Sequence, residues 1–484
     1  MLFRPRVLKN RQHRTTLNTL PLAGGEVEQH MEQDSIRAAV QEGIQAERES
    51  LEENLSFLAG KLLDGSWSPR NFELDFRSAV LAMATGIFAR TLERLDPEIR
   101  SAVRKRGHRA PDGTICHGSI ASKGRKTVTL TTLLGAMEIR RGTFACPTCG
   151  ASGGMLDEIL QATPEHMTPA CVSVTAQAAA VESYQGSAKL IRDMSGVDLD
   201  PKRIHRVVQR VGPSASRLLE KKPEELSPDV ETLPPPYRAL YASIDGGRIR
   251  MRGGAWREPY AGAVWWEEVD GTLRRFAFAE IANKPKVFGI LDSWLEHFRR
   301  HRTGKAIIVA DGAPWIWEWA KEHPGAVLVL DYYHLKKNVW GAAEVLFGEG
   351  SSRVERWTDR VMSRIWRGWT FATVLKLDRT YPQGENRRRK RKALVALANY
   401  IYNHRGLMEY RRLRKRGRTI GSGQIESICR QVFSMRLKGP GMFWSEPGAQ
   451  NVMHLRALYV SGRWEELWSD IHASGYAEIK RSAA

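Results

Sequence analysis

LYASIDGG, from Leu240 to Gly247, is an apolar run that stops at an aspartate and two glycines, the pattern of a buried strand closed by a turn. Downstream, strand-like runs extend through Gly262 to Val269 and from Arg274 to Ile281, and a helical pattern covers about Pro285 to His301. Two further apolar runs, Ala306 to Val309 and Ala326 to Leu330, flank a short helix after Pro314. From Leu240 to Asp331 the order is thus β, β, β, α, β, α, β. Three consecutive strands imply hairpins, and helices between the later strands imply crossovers. Upstream, Pro234, Pro235 and Pro236 favour stiff extended chain, so a linker over 226–237 precedes this unit, which starts near residue 238.

That order matches a ribonuclease H-like fold within a multidomain α/β chain. In it the first and fourth strands are neighbours, which brings Asp245, at the end of the first, beside Asp311, which ends the fourth in VADGA. Acidic side chains at adjacent strand ends, with glycines that let a backbone approach, can hold the divalent cations that two-metal phosphoryl transfer requires. Taken singly, aspartate before glycine is first of all a turn signal.

The 484 residues exceed what one hydrophobic core usually serves, so two to four domains are expected. With 42% hydrophobic and 26% charged residues the composition is that of a soluble globular protein. A formal charge of +20 attracts polyanions and makes nucleic acid the leading partner, a merely basic or ribosome-associated protein being the bland alternative. Five cysteines, an odd number, and a basic N-terminus, MLFRPRVLKNRQHRTT, with no apolar stretch after it point to a reducing, cytoplasmic setting. The most apolar segment, Ala79 to Ala89, is about half a membrane span, so no transmembrane helix is expected.

Ahead of the linker the texture changes three times. Within 1–106, from about residue 26, Ile36, Val40, Ile44, Leu51, Leu55, Leu58 and Leu62 recur at helical spacing, a stripe expected to form core. Region 107–160 carries short β-prone runs around Cys116-His117 and the CPTCG of Cys146 to Gly150. Cys146 and Cys149 can bind one zinc ion, a structural site needs four ligands, and Cys116 with His117 or His108 could complete the set of a small zinc ribbon; the alternative is a turn without metal. Region 161–225 reads as a helix-turn-helix: a helix near Tyr184–Met194, Gly196 as its left-handed cap, then Asp200 as N-cap and Pro201 at N1. Lys202, Arg203, His205 and Arg206 stand where a recognition helix presents side chains to DNA, a packing-only hairpin being the alternative.

The stretches SIDGG at Asp245, VADGA at Asp311, LDYYH ending in Asp331 to His334, and GSGQIE at Glu426 resemble the Kra group of prokaryotic insertion-sequence transposases, within the DDE class. RLKGPGMFWS from Arg436 and GAQNVMHLRALYVSGRWE from Gly448 are similar to the C-terminus of that group, and the resemblance runs from about Leu133 to Trp468. It implies a catalytic set of Asp245, Asp311 and Glu426 that holds two Mg2+ or Mn2+ ions on a ribonuclease H-like core (238–334). It further implies an all-helical insertion (335–418) and a C-terminal helical part (419–484) that carries the third acid. Asp331 and His334 resemble the D-x-x-H motif of Mutator-like relatives, which implies a supporting role near the active site. The implied reaction is hydrolysis at the ends of a mobile element followed by transfer of the 3′-OH into target double-stranded DNA, by a dimer or larger assembly associated with the nucleoid. The group tends to carry two C-x-x-C pairs, whereas here the upstream place reads TICHG.

Residues 335–418 are rich in cations and tryptophan. Arg387, Arg388, Arg389 and Lys390 open a wholly basic run expected at DNA phosphates, unless it is only a solvated face; Trp340, Trp357, Trp366 and Trp369 are expected mostly in core. Trp444, close to Glu426 in sequence, is the residue expected to touch a base or DNA end. Two rivals remain: a non-transposing nuclease on the same fold, and a DNA-binding regulator without catalysis, against which the presence of all three acids argues.

Overall fold

The computed structural model describes residues 26–226, 239–301, 305–474 and 476. Of the expected linker over 226–237 only Leu226 falls among them, and the basic N-terminal stretch lies outside the described residues.

Two long helices, Glu26–Leu63 and Pro69–Arg94, pack along one another. Ser68 Oγ starts the second by accepting the Asn71 N–H at 3.2 Å, and Pro69 follows where no N–H is needed. The helical periodicity is present, and the expected stripe divides: Leu58 is buried and Leu51, Leu55 and Leu62 are half-buried, but its first three members point outward. Ile36, Val40 and Ile44 are exposed, and Ala39 and Gly43 are turned inward instead. A Cβ on Gly43 would lie 3.1 Å from Ile87 O, so small residues let the two backbones close along this part of the seam and leave Ile36, Val40 and Ile44 outside.

The helix Asp96–Arg106 leads into a small antiparallel sheet of β1 (Ala121–Thr132), β2 (Gly135–Ala145) and β3 (Ser152–Gly154). A ribbon that pairs His108–Arg109 with Ile115–Cys116 precedes it. Leu130, Met137, Ile139, Phe144 and Met155 give this unit its own core. Asp96 fastens it, accepting the Gly142 N–H at 3.0 Å and pairing with Arg125 at 3.0 Å and Arg100 at 3.2 Å.

Helices Pro169–Val181, Tyr184–Ser195 and Pro201–Glu220 follow. Gly196 caps the second in the left-handed region at φ 73°, and Asp200 Oδ1 caps the third by accepting the Lys202 and Arg203 N–H groups at 2.9 and 3.0 Å. The pair is not a free-standing module. Ile204, Val208, Val211 and Leu218 belong to the same core as the main sheet, and the helix packs on Glu446–Val460. Asn451 Nδ2 donates to Gln209 Oε1 across that seam at 2.9 Å.

The main sheet is mixed. Its strands are β4 (Tyr241–Gly246), β5 (Pro259–Glu267), β6 (Leu273–Ile281), β7 (Ile307–Ala310) and β8 (Val327–Leu330), in the order β6-β5-β4-β7-β8. The first three form an antiparallel meander; β7 runs parallel to β4, and β8 parallel to β7. The β5–β6 turn uses Asp270, whose Oδ1 accepts the Thr272 N–H at 2.8 Å, and Gly271 at φ 86°. β4, β7 and β8 are nearly continuous apolar runs, as parallel strands covered on both faces require. Helix Lys284–His301 packs on β5 and β6, and Glu446–Val460 runs along β6. There the backbone N–H groups of Ala277 and Ile281 donate to Ser461 Oγ and Gln450 Oε1, both at 2.8 Å, so side chains satisfy donors that an open sheet edge would expose.

From Tyr332 to Lys415 every element is helical: Tyr332–Phe347, Ser352–Trp366, Thr370–Asp378, Arg387–Asn403, a 3-10 turn and Tyr410–Lys415. Of the four tryptophans expected mostly in core, Trp357 and Trp366 are half-buried and pack against it, and Trp340 and Trp369 are exposed. Helix Gly423–Cys429 then continues through a π-helical turn, Arg430–Ser434, into Met435–Leu437. Among the described residues no helix is long and apolar enough to cross a membrane.

Candidate functional site

Because β4, β7 and β8 run parallel, the residues at their carboxyl ends share one edge of the sheet, where open α/β sheets present their ligands. Asp245 lies next to last in β4, Asp311 directly follows β7, and Asp331 directly follows β8. The fourth acid, Glu426, arrives from the helix Gly423–Cys429, fastened to this edge where the Tyr332 N–H donates to Ile420 O at 3.0 Å.

These acids have different environments. Asp245 and Asp311 each keep one oxygen on a nearby backbone donor, Gly246 N at 2.7 Å and Ala313 N at 2.9 Å. Burial raises the Asp245 carboxyl above its usual range; the Gly246 N–H opposes this, the charges of Asp311 and Glu426 add to it, and His334 counters. Asp331 is different. Only 1% exposed, it caps Tyr332–Phe347 with Oδ1 on the N–H groups of Tyr333 (2.5 Å) and His334 (2.9 Å). Its Oδ2 accepts the Ser422 N–H at 2.7 Å and the Ser422 hydroxyl. Burial alone would raise its pKa, but the donors from His334 and Ser422 outweigh this and bring it to about 2. Asp331 thus positions its neighbours.

His334 Nδ1 lies between two carboxylates, 3.3 Å from Asp331 Oδ2 and 3.4 Å from Glu426 Oε1. Its pKa is raised, first by Asp331 against the effect of burial, then by the charges of Glu426 and Asp311. Asp331, His334 and Glu426 offer ligand atoms within 4.8 Å of one another. Two residues absent from the expected set also belong here. Ser422 links Asp331 to Glu426, whose Oε1 it approaches at 3.4 Å, and the signal was the serine inside GSGQIE. Tyr400 closes over Gly312: a Cβ there would meet its ring at 2.5 Å, which accounts for glycine after Asp311. Burial and the Asp311 charge push the Tyr400 hydroxyl up to about 12.

In the small sheet, His108, Cys116, Cys146 and Cys149 bring one imidazole and three thiols within 4.8 Å of one another. His108 Nε2 is 3.2 Å from Cys149 Sγ, and Cys116 Sγ is 4.0 Å from Cys146 Sγ. Of the two histidines open as a fourth member, the buried His108 is present and the exposed His117 is not. Burial works to raise the Cys146 thiol, yet the N–H groups of Cys149 and Thr148 bring it down to about 6.

The residues expected at DNA are placed unequally. Lys202 and Arg206 are exposed, and His205 is half-buried, edge-on to Tyr184 at 5.4 Å. Arg203 is turned inward, donating to Thr131 Oγ1 at 2.9 Å and Glu165 O at 2.6 Å, because a half-buried guanidinium needs acceptors. Arg387, Arg388 and Arg389 are exposed; the half-buried Lys390 lines a cavity with Arg353, Arg360, Arg364 and Lys376. Trp444 corrects its expected role. It is 8% exposed, its Nε1 donates to Leu437 O at 3.1 Å, and it packs against Tyr184 at 6.3 Å and the Arg436 guanidinium at 4.9 Å.

Comparison with known proteins agrees on one family. The UPF0236 protein TTE0402 of Caldanaerobacter subterraneus subsp. tengcongensis is 23% identical over 347 residues, covering 69% of this chain and 64% of that relative, so the chain spans somewhat under two thirds of its length. The UPF0236 protein TTE0610/TTE0881/TTE1053/TTE2432 of the same organism is 23% identical over 347 residues, covering 69% of this chain and 68% of that relative. A family model described as an uncharacterised protein family (UPF0236) matches residues 119–468, so the chain belongs to that family.

Proposed function

We propose that the chain is a DNA transposase of the DDE class, which hydrolyses the phosphodiester at the end of a mobile element and joins the freed 3′-OH to target DNA. The observation that carries this reading is that Asp245 and Asp311, far apart in sequence, stand at the ends of neighbouring parallel strands, with Glu426 near enough for its charge to act on Asp245. The strand order supports a ribonuclease H-like core, since three antiparallel strands followed by two parallel ones is the arrangement expected of it.

The three carboxylates fit divalent metal. Burial first, and then the charges of Asp311 and Glu426, raise the Asp245 carboxyl; a bound cation relieves both, and hard oxygen donors suit Mg2+ or Mn2+. When bound, two such ions supply activation of the attacking oxygen and stabilisation of the leaving one. The chain's own part is positional. Backbone donors fix Asp245 and Asp311, while Asp331 and Ser422 set His334 and hence Glu426. His108, Cys116, Cys146 and Cys149 fit a closed structural Zn2+ site, and Lys202, His205 and Arg206 fit one end of a DNA contact.

The test uses the DNA that flanks the encoding locus, offered both uncut and as a cleaved end with a free 3′-OH, with a plasmid target. Joining is expected only with Mg2+ or Mn2+, and Glu426→Gln should abolish it while DNA binding persists. Cutting without joining would favour a nuclease, and binding without cutting under any divalent ion would favour a regulator. A fully active Glu426→Gln protein would overturn the assignment.

A further inference from the structure

Between Asp245 and β5 the chain makes a detour that the carboxylate chemistry does not use. Its sequence is RIRMRGGAWR, from Arg248 to Arg257. Ile249 and Met251 are buried, and Arg248, Arg250 and Arg252 are exposed on the alternate positions. Ile249–Arg250 pairs with Trp256–Arg257 in a two-stranded ribbon. The ribbon is firmly held: Trp444 N donates to Arg250 O at 3.3 Å, Arg252 N donates to Trp444 O at 2.9 Å, and Met251 N donates to Ala255 O at 2.8 Å. Anchoring this ribbon is what Trp444 does in place of touching DNA.

The arginines are short of counter-charge. Arg248 approaches Glu258 only at 3.9 Å with both side chains exposed, and Arg250 lies over the Phe443 ring at 4.8 Å. Among the described residues neither Arg250 nor Arg252 has a carboxylate at ion-pair distance. Like charges on alternate positions, with only the exposed Glu258 near the first of them, disfavour the free protein slightly, and a polyanion removes that cost.

Location narrows the partner. At one end the ribbon follows Asp245 and Gly247, where Gly247 N donates to Pro259 O at 2.9 Å. At the other end it joins Trp444, which packs on Tyr184, which packs on His205 near the start of helix Pro201–Glu220. The ribbon therefore spans from the carboxylate edge to that helix.

We propose that Arg248, Arg250 and Arg252 form a phosphate-tracking ribbon that holds the backbone of one DNA strand between the helix Pro201–Glu220 and the carboxylate edge. The proposal rests on the reading of the chain as a DNA enzyme, but it concerns binding and not cutting. Contacts of this kind position DNA without reading sequence.

The experiment measures binding of the full chain to a fluorescent 30-base-pair duplex of arbitrary sequence, without added Mg2+ or Mn2+ and without chelator, across a salt series. Each phosphate contact contributes about 0.9 to the slope of log K against log salt, so replacing all three arginines by alanine should reduce that slope by about 2.7 and weaken binding roughly tenfold or more. The Arg→Lys triple variant should keep the slope, because charge and not fork geometry is at stake. Removing three exposed arginines elsewhere, Arg37, Arg48 and Arg70, should leave it within one unit. A folded alanine variant with the wild-type slope, or a control variant with an equal loss, overturns the ribbon alone. Failure of the wild-type chain to bind duplex DNA overturns it together with the reading on which it rests. Loss of strand joining with binding intact would touch only the latter.

Discussion

Asp331 receives four hydrogen bonds, from Tyr333, His334 and twice from Ser422, and so has little capacity left for a ligand. That decides between two neighbouring acids that look alike in sequence. Asp311 gives one oxygen to Ala313 N and faces Asp245, whereas Asp331 is spent on holding His334 and Ser422. Ser422→Ala should leave a buried carboxylate one donor short, at a cost of about 1–3 kcal/mol in thermal or denaturant unfolding, while Ser422→Thr should retain most of the stability. An alanine variant as stable as the wild type would contradict the role given to the hydroxyl. The positions of Asp245 and Asp311 were legible because an apolar run that ends in Asp-Gly fixes a strand end. The burial of Trp444 was not, since its neighbours Tyr184 and Leu437 come together only in the folded chain.

Individual elements were legible where local chemistry dictates them. Gly196, Asp200 and Pro201 each act through backbone conformation or a cap within three residues, and they stand where the sequence puts them. Which face of a helix is buried depends on its partner, so the exposure of Ile36, Val40 and Ile44 could not be read from period alone. The small sheet offers a sharper case. His108 and His117 were equally good fourth ligands on spacing, and pairing of His108–Arg109 with Ile115–Cys116 chose His108 by turning it inward. Elemental analysis of protein purified without chelator should find Zn2+ in the wild type and in His117→Ala, and should find it lost from His108→Ala. Zinc retained by His108→Ala but lost from His117→Ala would refute the ligand set.

At the scale of the whole molecule, the segment before the linker and the segment after it share one core, although composition changes between them. A charge network with Glu280 and His454 buried at its centre ties them. Glu280 of β6 meets His454 at 3.1 Å and Lys286 at 2.8 Å, and Lys286 reaches back to Glu220 at 2.7 Å, the C-terminal residue of helix Pro201–Glu220. Burial would raise the Glu280 carboxyl, but His454 and then Lys286 lower it below its usual value. A carboxyl depressed in the folded state stabilises above its unfolded pKa, about 4.3, and that stabilisation is lost as pH falls below it. Glu280→Gln should therefore cost about 3–5 kcal/mol near neutral pH, with the gap between wild type and variant closing on acidification. An equal gap at pH 7 and pH 3.5 would show that the network does not act through charge. No composition signal announces such a network, because its members are spread from residue 220 to residue 454.

The most direct test of the carboxylate centre is a Mn2+ titration of the full chain followed by electron paramagnetic resonance, which needs no knowledge of the DNA sequence. Wild-type protein should bind Mn2+, and Asp245→Asn, Asp311→Asn and Glu426→Gln should each weaken that binding by roughly tenfold or more while the fold persists. Mn2+ binding that is absent, or indifferent to all three substitutions, would contradict the assignment of this edge of the sheet as a metal-dependent catalytic site.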